Sequence, residues 1–154
     1  MFAPATAARA IRRAALLVGL AVWSGEARAQ FFSVSGSPST MKVTTAIPGF
    51  GLTPVTDAST KYTLFTFLGG HHEITAQINT PTPAGVTLTV DLAAPSGATS
   101  AGPVVLGVAA LPVVTNISNG FSSNAITYEL NATPAAGVVP AQSRTVTFTL
   151  VATP

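Results

Sequence analysis

The chain reads as an all-β protein, an immunoglobulin-like antiparallel β-sandwich of seven to nine strands. Three observations predict this. Apolar and polar residues alternate with period two along most of the chain after residue 30. Breaks rich in Pro, Gly, Ser and Asn recur between the alternating runs. No stretch after residue 30 has helical periodicity. Strict alternation buries one strand face and leaves the other wet, and short runs with regular breaks favour a sandwich or barrel.

Strands are expected near 31–35, 41–47, 61–68, 72–79, 86–92, 103–108, 111–117, 124–132 and 144–152. The clearest are Val86, Leu88, Val90 and Leu92 against Thr87, Thr89 and Asp91, and Ile126, Tyr128 and Leu130 against Thr127, Glu129 and Asn131. Val146, Phe148 and Leu150 repeat the pattern against Thr147 and Thr149, as do Ile74, Ala76 and Ile78 against Thr75, Gln77 and Asn79. The breaks are Gly36-Ser37-Pro38, Pro48-Gly49, Gly69-Gly70, Pro81-Thr82-Pro83, Pro95-Ser96-Gly97, Asn119-Gly120 and Pro134. The apolar run Val104–Val114 carries Gly107 and Pro112 and is too short for a membrane helix. It reads as a strand buried on both faces, or two strands meeting at a bulge.

Residues 1–29 have the order of a secretory signal peptide: Arg9, Arg12 and Arg13, the apolar run Ala14–Trp23, then Ala27-Arg28-Ala29. The expected mature chain is one domain, 30–154, exported to the periplasm, cell surface or medium. It keeps Lys42, Lys61 and Arg144 against Asp57, Glu73, Asp91 and Glu129, a formal charge of −1. That removes a basic surface for nucleic acid. Seven charged residues are few for a domain of this length, and 21 threonines take over the polar surface. Low net charge weakens self-repulsion. The absence of cysteine excludes disulfides, thiol catalysis and thiolate metal sites.

An internal echo joins two segments. Ile74–Asn79, Pro83-Ala84-Gly85-Val86 and Thr87–Leu92 resemble Ile126–Asn131, Ala135-Ala136-Gly137-Val138 and Thr145–Leu150. The offset is 52 residues through the turn glycine, after which Val139–Arg144 is inserted. The expectation is two related hairpins in one sandwich.

Chemistry-bearing residues are sparse. His71-His72-Glu73, expected at a hairpin turn, offers His71 and Glu73 on one face, too few ligands for a metal site. Asp91 and Glu129 share a polar face, where solvation accounts for them better than paired acid catalysis, and Asp57 stands apart. No Gly-x-Ser-x-Gly elbow or phosphate loop occurs, so no enzyme and no cofactor are expected. Asn116-Ile117-Ser118 and Asn131-Ala132-Thr133 match a glycosylation pattern expected to be unused. Phe50, Tyr62, Phe65, Phe67, Phe121, Tyr128 and Phe148 are expected mostly in the core, while Phe31, Phe32 and Val34 form an apolar N-terminal strand able to meet a partner's sheet edge.

An N-terminal apolar strand, Thr-, Ala- and Gly-rich alternating strands and the closing run Thr145-Val-Thr-Phe-Thr-Leu150 resemble bacterial secreted pilin-like or coat-like β-sandwich subunits in general style. The disulfide and near-terminal tyrosine common in chaperone–usher pilins are missing, and no functional residue carries over. The resemblance and the near-neutral surface imply a structural subunit that associates with itself or another exported β-protein, with residues 31–35 completing an edge of the next subunit. The alternative is a monomeric secreted binding module using loop 49–60 or 95–103.

Overall fold

The computed structural model describes residues 30–47, 51–67 and 70–153. The leader at 1–29, the Pro48-Gly49 break, Phe50 and Gly69 lie outside them. The chain forms β1 (Gln30–Ser35), β2 (Ala46–Ile47), β3 (Gly51–Leu52), β4 (Val55–Thr66), β5 (His71–Ile78), β6 (Val86–Leu92), β7 (Thr99–Ser100), β8 (Val104–Val105), β9 (Leu111–Ile117), β10 (Gly120–Ala132) and β11 (Val146–Thr153). Two antiparallel sheets pack into a sandwich, one in the order β1-β4-β10-β6-β8 and the other β11-β5-β9-β7. β2 and β3 pair separately.

Alternation sets the core. Tyr62 and Leu64 of β4, Ile74, Ala76 and Ile78 of β5, Val90 and Leu92 of β6, and Ile126 and Tyr128 of β10 all point between the sheets. Their neighbours Thr63, Thr75, Asp91 and Thr127 point outward. Strands 86–92 and 111–117 fall where the pattern puts them, whereas the expected strand 41–47 shrinks to β2. The strand expected at 61–68 begins at Val55 instead. A register shift opposite Ile126–Tyr128 inserts a bulge into β4 after Asp57, and this interrupts the alternation there.

The run Val104–Val114 is not one buried strand, nor two strands of one sheet meeting at a bulge. It leaves the first sheet at β8 and enters the second at β9, with Leu106 buried on the way. Register shifts in β9 let the adjacent Val113 and Val114 both be buried, and Asn116 takes up positive φ (56°) in the same strand.

The expected hairpins are arches. β5 and β6 lie in opposite sheets, as do β10 and β11. The two arches pair strand for strand, β5 with β11 and β6 with β10. The registers correspond under the sequence echo. Ile74↔Leu150, Ala76↔Phe148 and Ile78↔Val146 in one sheet match Ile126↔Leu92, Tyr128↔Val90 and Leu130↔Leu88 in the other. The echo is therefore an approximate two-fold relation through the core. Gly85 and Gly137 both adopt positive φ at the turns (78° and 61°), and the turns touch. The N–H and hydroxyl of Thr133 donate to the Gly85 carbonyl, at 2.8 and 3.3 Å.

A methyl group on Gly85 would meet Thr133 Oγ1 at 2.8 Å and the Ala136 nitrogen at 2.9 Å, while one on Gly97, also at positive φ, meets nothing. Gly85→Ala is expected to cost about 2–4 kcal/mol and Gly97→Ala about 1 kcal/mol. Chemical denaturation of both variants checks this; equal losses would show that the contact between the turns contributes nothing.

Candidate functional site

The two edges on one side of the sandwich are long and those on the other are short. β1 and β11 border one side with six and eight residues. β8 and β7 border the other with two residues each. Short edge strands are one way proteins avoid adventitious pairing, and charged side chains are another. β1 (QFFSVS) and β11 (VTFTLVAT) are neither short nor charged.

Between them runs an open groove of about 550 Å³, with Phe32 and Val34 from β1 on one wall and Val146 and Phe148 from β11 on the other. Phe32 is half-buried, its ring 6.0 Å from that of Tyr62. Val34 is 41% exposed and sits opposite Tyr62 in the ladder. Phe31 points to the other face of the sheet and is 53% exposed. The apolar N-terminal strand thus pairs with β4 of its own chain, Phe31 opposite Phe65 and Val34 opposite Tyr62.

Outside the same sheet the core assignment of several aromatics fails. Phe65 stands between Phe31 of β1 and Phe121 of β10 in the ladder, and Phe67 stacks on Phe65 with centroids 6.4 Å apart. Phe67 and Phe121 are more than half exposed. The signal was present in the sequence: Phe65 has the parity of Lys61 and Thr63, and Phe121 is out of phase with inward Ile126 and Tyr128.

Polar side chains are buried between the sheets along β4, β5 and β10. Thr60 and Thr66 of β4 and His72 of β5 are buried. The Thr66 hydroxyl donates to the Ser118 carbonyl, and His72 Nε2 lies 3.0 Å from Gln30 Nε2. Thr60 Oγ1, His72 Nδ1, Ser122 Oγ and Asn124 Nδ2 are buried without a hydrogen-bond partner among the described residues. Each such atom costs about 1–3 kcal/mol.

The His71-His72-Glu73 cluster is not at a hairpin turn, because β4 and β5 belong to different sheets. His72 faces the core while His71 and Glu73 face outward. Among the described residues no three metal-ligating side chains gather. Asp91 and Glu129 lie on the outer face of adjacent strands, opposite Thr127 and Thr89, and Asp91 accepts from the Ser100 hydroxyl at 3.3 Å. Asp57 accepts N–H and hydroxyl donation from both Ser39 and Ser59, at 2.6–3.0 Å. Those donors hold its carboxyl well below the usual range and tie the segment after β1 to the β4 bulge. Asn116 and Asn131 are both exposed.

A second cavity, of about 430 Å³, lies at the end of the sandwich where the two arch turns meet. It draws on Thr40–Thr44 and on the 139–144 insertion, takes only Leu52 from loop 49–60, and takes nothing from 95–103. Among the described residues no helix is long and apolar enough to cross a membrane. No protein-family model, curated protein or solved structure matches this chain.

Tyr62 and Tyr128 are the only tyrosines, and burial pushes both hydroxyls up to about 12. The Tyr62 hydroxyl donates to the Ala93 carbonyl at 2.6 Å. Unfolded tyrosine ionises near pH 10. Between those values the unfolded chain releases protons that the native chain keeps, so stability is full below about pH 10 and falls as pH rises toward 12. Phenolate absorbance should therefore appear together with loss of the β-sheet circular dichroism signal. Ionisation near pH 10 with the sheet intact would contradict the burial of both rings.

Proposed function

We propose that this chain is an exported, non-enzymatic structural subunit that associates with further copies of itself through the β1–β11 side. The observation that carries the reading is the pair of long, charge-free edge strands flanking one groove, whose walls present Phe32, Val34, Val146 and Phe148. In this reading β1 is the exchanged element. Residues 30–35 of one copy replace the β1 of the next on its β4, using the register each copy makes with itself. Exchange of an identical element costs little, because the same contacts form in either arrangement. Segment 36–45 has no regular secondary structure, and the exchange releases the Gln30–His72 and Ser39–Asp57 contacts together with β1. The small number of charged residues lets copies approach.

The absence of cysteine makes a direct test possible. Ser33 and Thr63 face each other across β1 and β4. The doubly substituted protein (Ser33→Cys with Thr63→Cys), exported from its own N-terminus and oxidised at high concentration, should give a covalent ladder on a non-reducing gel. Negative-stain images of the unsubstituted protein should show oligomers or filaments, and deletion of residues 30–36 should leave monomers. Intrachain bridges alone, with a monomeric mass at every concentration, would overturn the proposal.

A further inference from the structure

We infer that the cavity at the arch turns is a binding site for a small amphipathic acid, its apolar body inside and its anionic group held by Lys42 and Arg144. Met41, Val43, Leu52, Val86, Leu88 and Leu130 supply the apolar wall. At about 430 Å³ the cavity falls in the range that small-molecule sites occupy. Two of the three basic residues after position 29, Lys42 and Arg144, line it, and no carboxylate does. In a chain with so few charges, that placement selects an anion over a cation or a neutral molecule.

Arg144 is held in position. Its Nε and Nη2 donate to the Pro81 carbonyl at 3.2 and 2.9 Å, Nη1 donates to the Ser143 carbonyl at 2.9 Å, and Nη2 also meets Gln142 Oε1. A guanidinium has five N–H donors, so these contacts fix the group and leave one N–H and the positive charge for a ligand.

The internal two-fold relation gives a second, independent argument. Residues 139–144 are the insertion that breaks the correspondence between the arches. The scaffold does not require them, since the paired strands match in register on either side of the insertion. Those residues, with the non-repeated segment 40–44, bring both cations to the cavity. Arg144 also lines the β1–β11 groove, but ligand binding is measured separately from mass, so the two readings can fail separately.

The test is titration of the isotope-labelled protein with decanoate, below its micelle concentration, followed by backbone amide shifts. Decanol serves as the neutral probe and acetate as the headgroup alone. Saturable binding of decanoate is expected, with shifts centred on 40–44, 82–88 and 136–144, and with decanol and acetate at least tenfold weaker. Lys42→Gln, which alters an exposed side chain, should weaken decanoate about tenfold. Arg144→Gln should do the same or more, its amide spectrum showing whether the 139–144 segment is retained. No saturable shift, equal binding of decanol, or shifts centred elsewhere would each overturn the inference.

Discussion

The structure depends on the pairing of two arches, β5 with β11 and β6 with β10. A chain without cysteine and with seven charged residues after position 29 has cross-strand hydrogen bonds and apolar packing to hold it. The arches supply both. Each spans the two sheets, so the ladder Ile74↔Leu150 and the ladder Ile126↔Leu92 bury their inward side chains against one another. Neither arch can bury its inner faces without the other. A hairpin could pair with itself, but an arch cannot, and this ties residues near 74 to residues near 150. β4 then covers the free side of β10, and β9 covers the free side of β5.

Period-two alternation revealed the sandwich because each strand exposes one face to water. It located 86–92 well because that run alternates without interruption along its length. It failed where a bulge shifts the phase, as at Asp57–Thr60, and where a strand is only two residues long. The echo between the arches was legible as a repeat, but whether such a unit closes as a hairpin or opens as an arch depends on which sheet its second strand joins. That choice is made by distant residues and leaves no local mark. The aromatic row Phe31, Phe65 and Phe121 was legible in principle from parity. Assigning large rings to the core by type alone concealed it.

The edge strands show how polarity and association are balanced. Thr147 and Thr149 of β11 face outward and keep that surface wet without charge. Hydroxyls neither repel another copy nor oppose pairing as lysine would. On the opposite side, β7 and β8 end after two residues, with Gly97 and Gly102 at positive φ close to them. One molecule thus carries one blunted side and one side available for pairing.

The two-fold relation also separates the paired arches from the segments that carry no counterpart. Residues that obey it, such as Ile74 and Ile126, or Leu92 and Leu150, occupy equivalent positions against the core and contribute the same packing twice. Outside it, besides the core strands β4 and β9 and the short strands, lie β1, the irregular segment 36–45 and the insertion 139–144. These carry the strand with a free edge, Ser39, which anchors to Asp57, and both cations of the cavity. A symmetric core must satisfy packing in both halves at once, so a change in one arch is felt in the other. The segment 36–45 and the insertion 139–144 belong to neither sheet and are free of that constraint. In this chain the asymmetric segments hold the open edge and the charged cavity because there chemistry can be added without disturbing the paired arches.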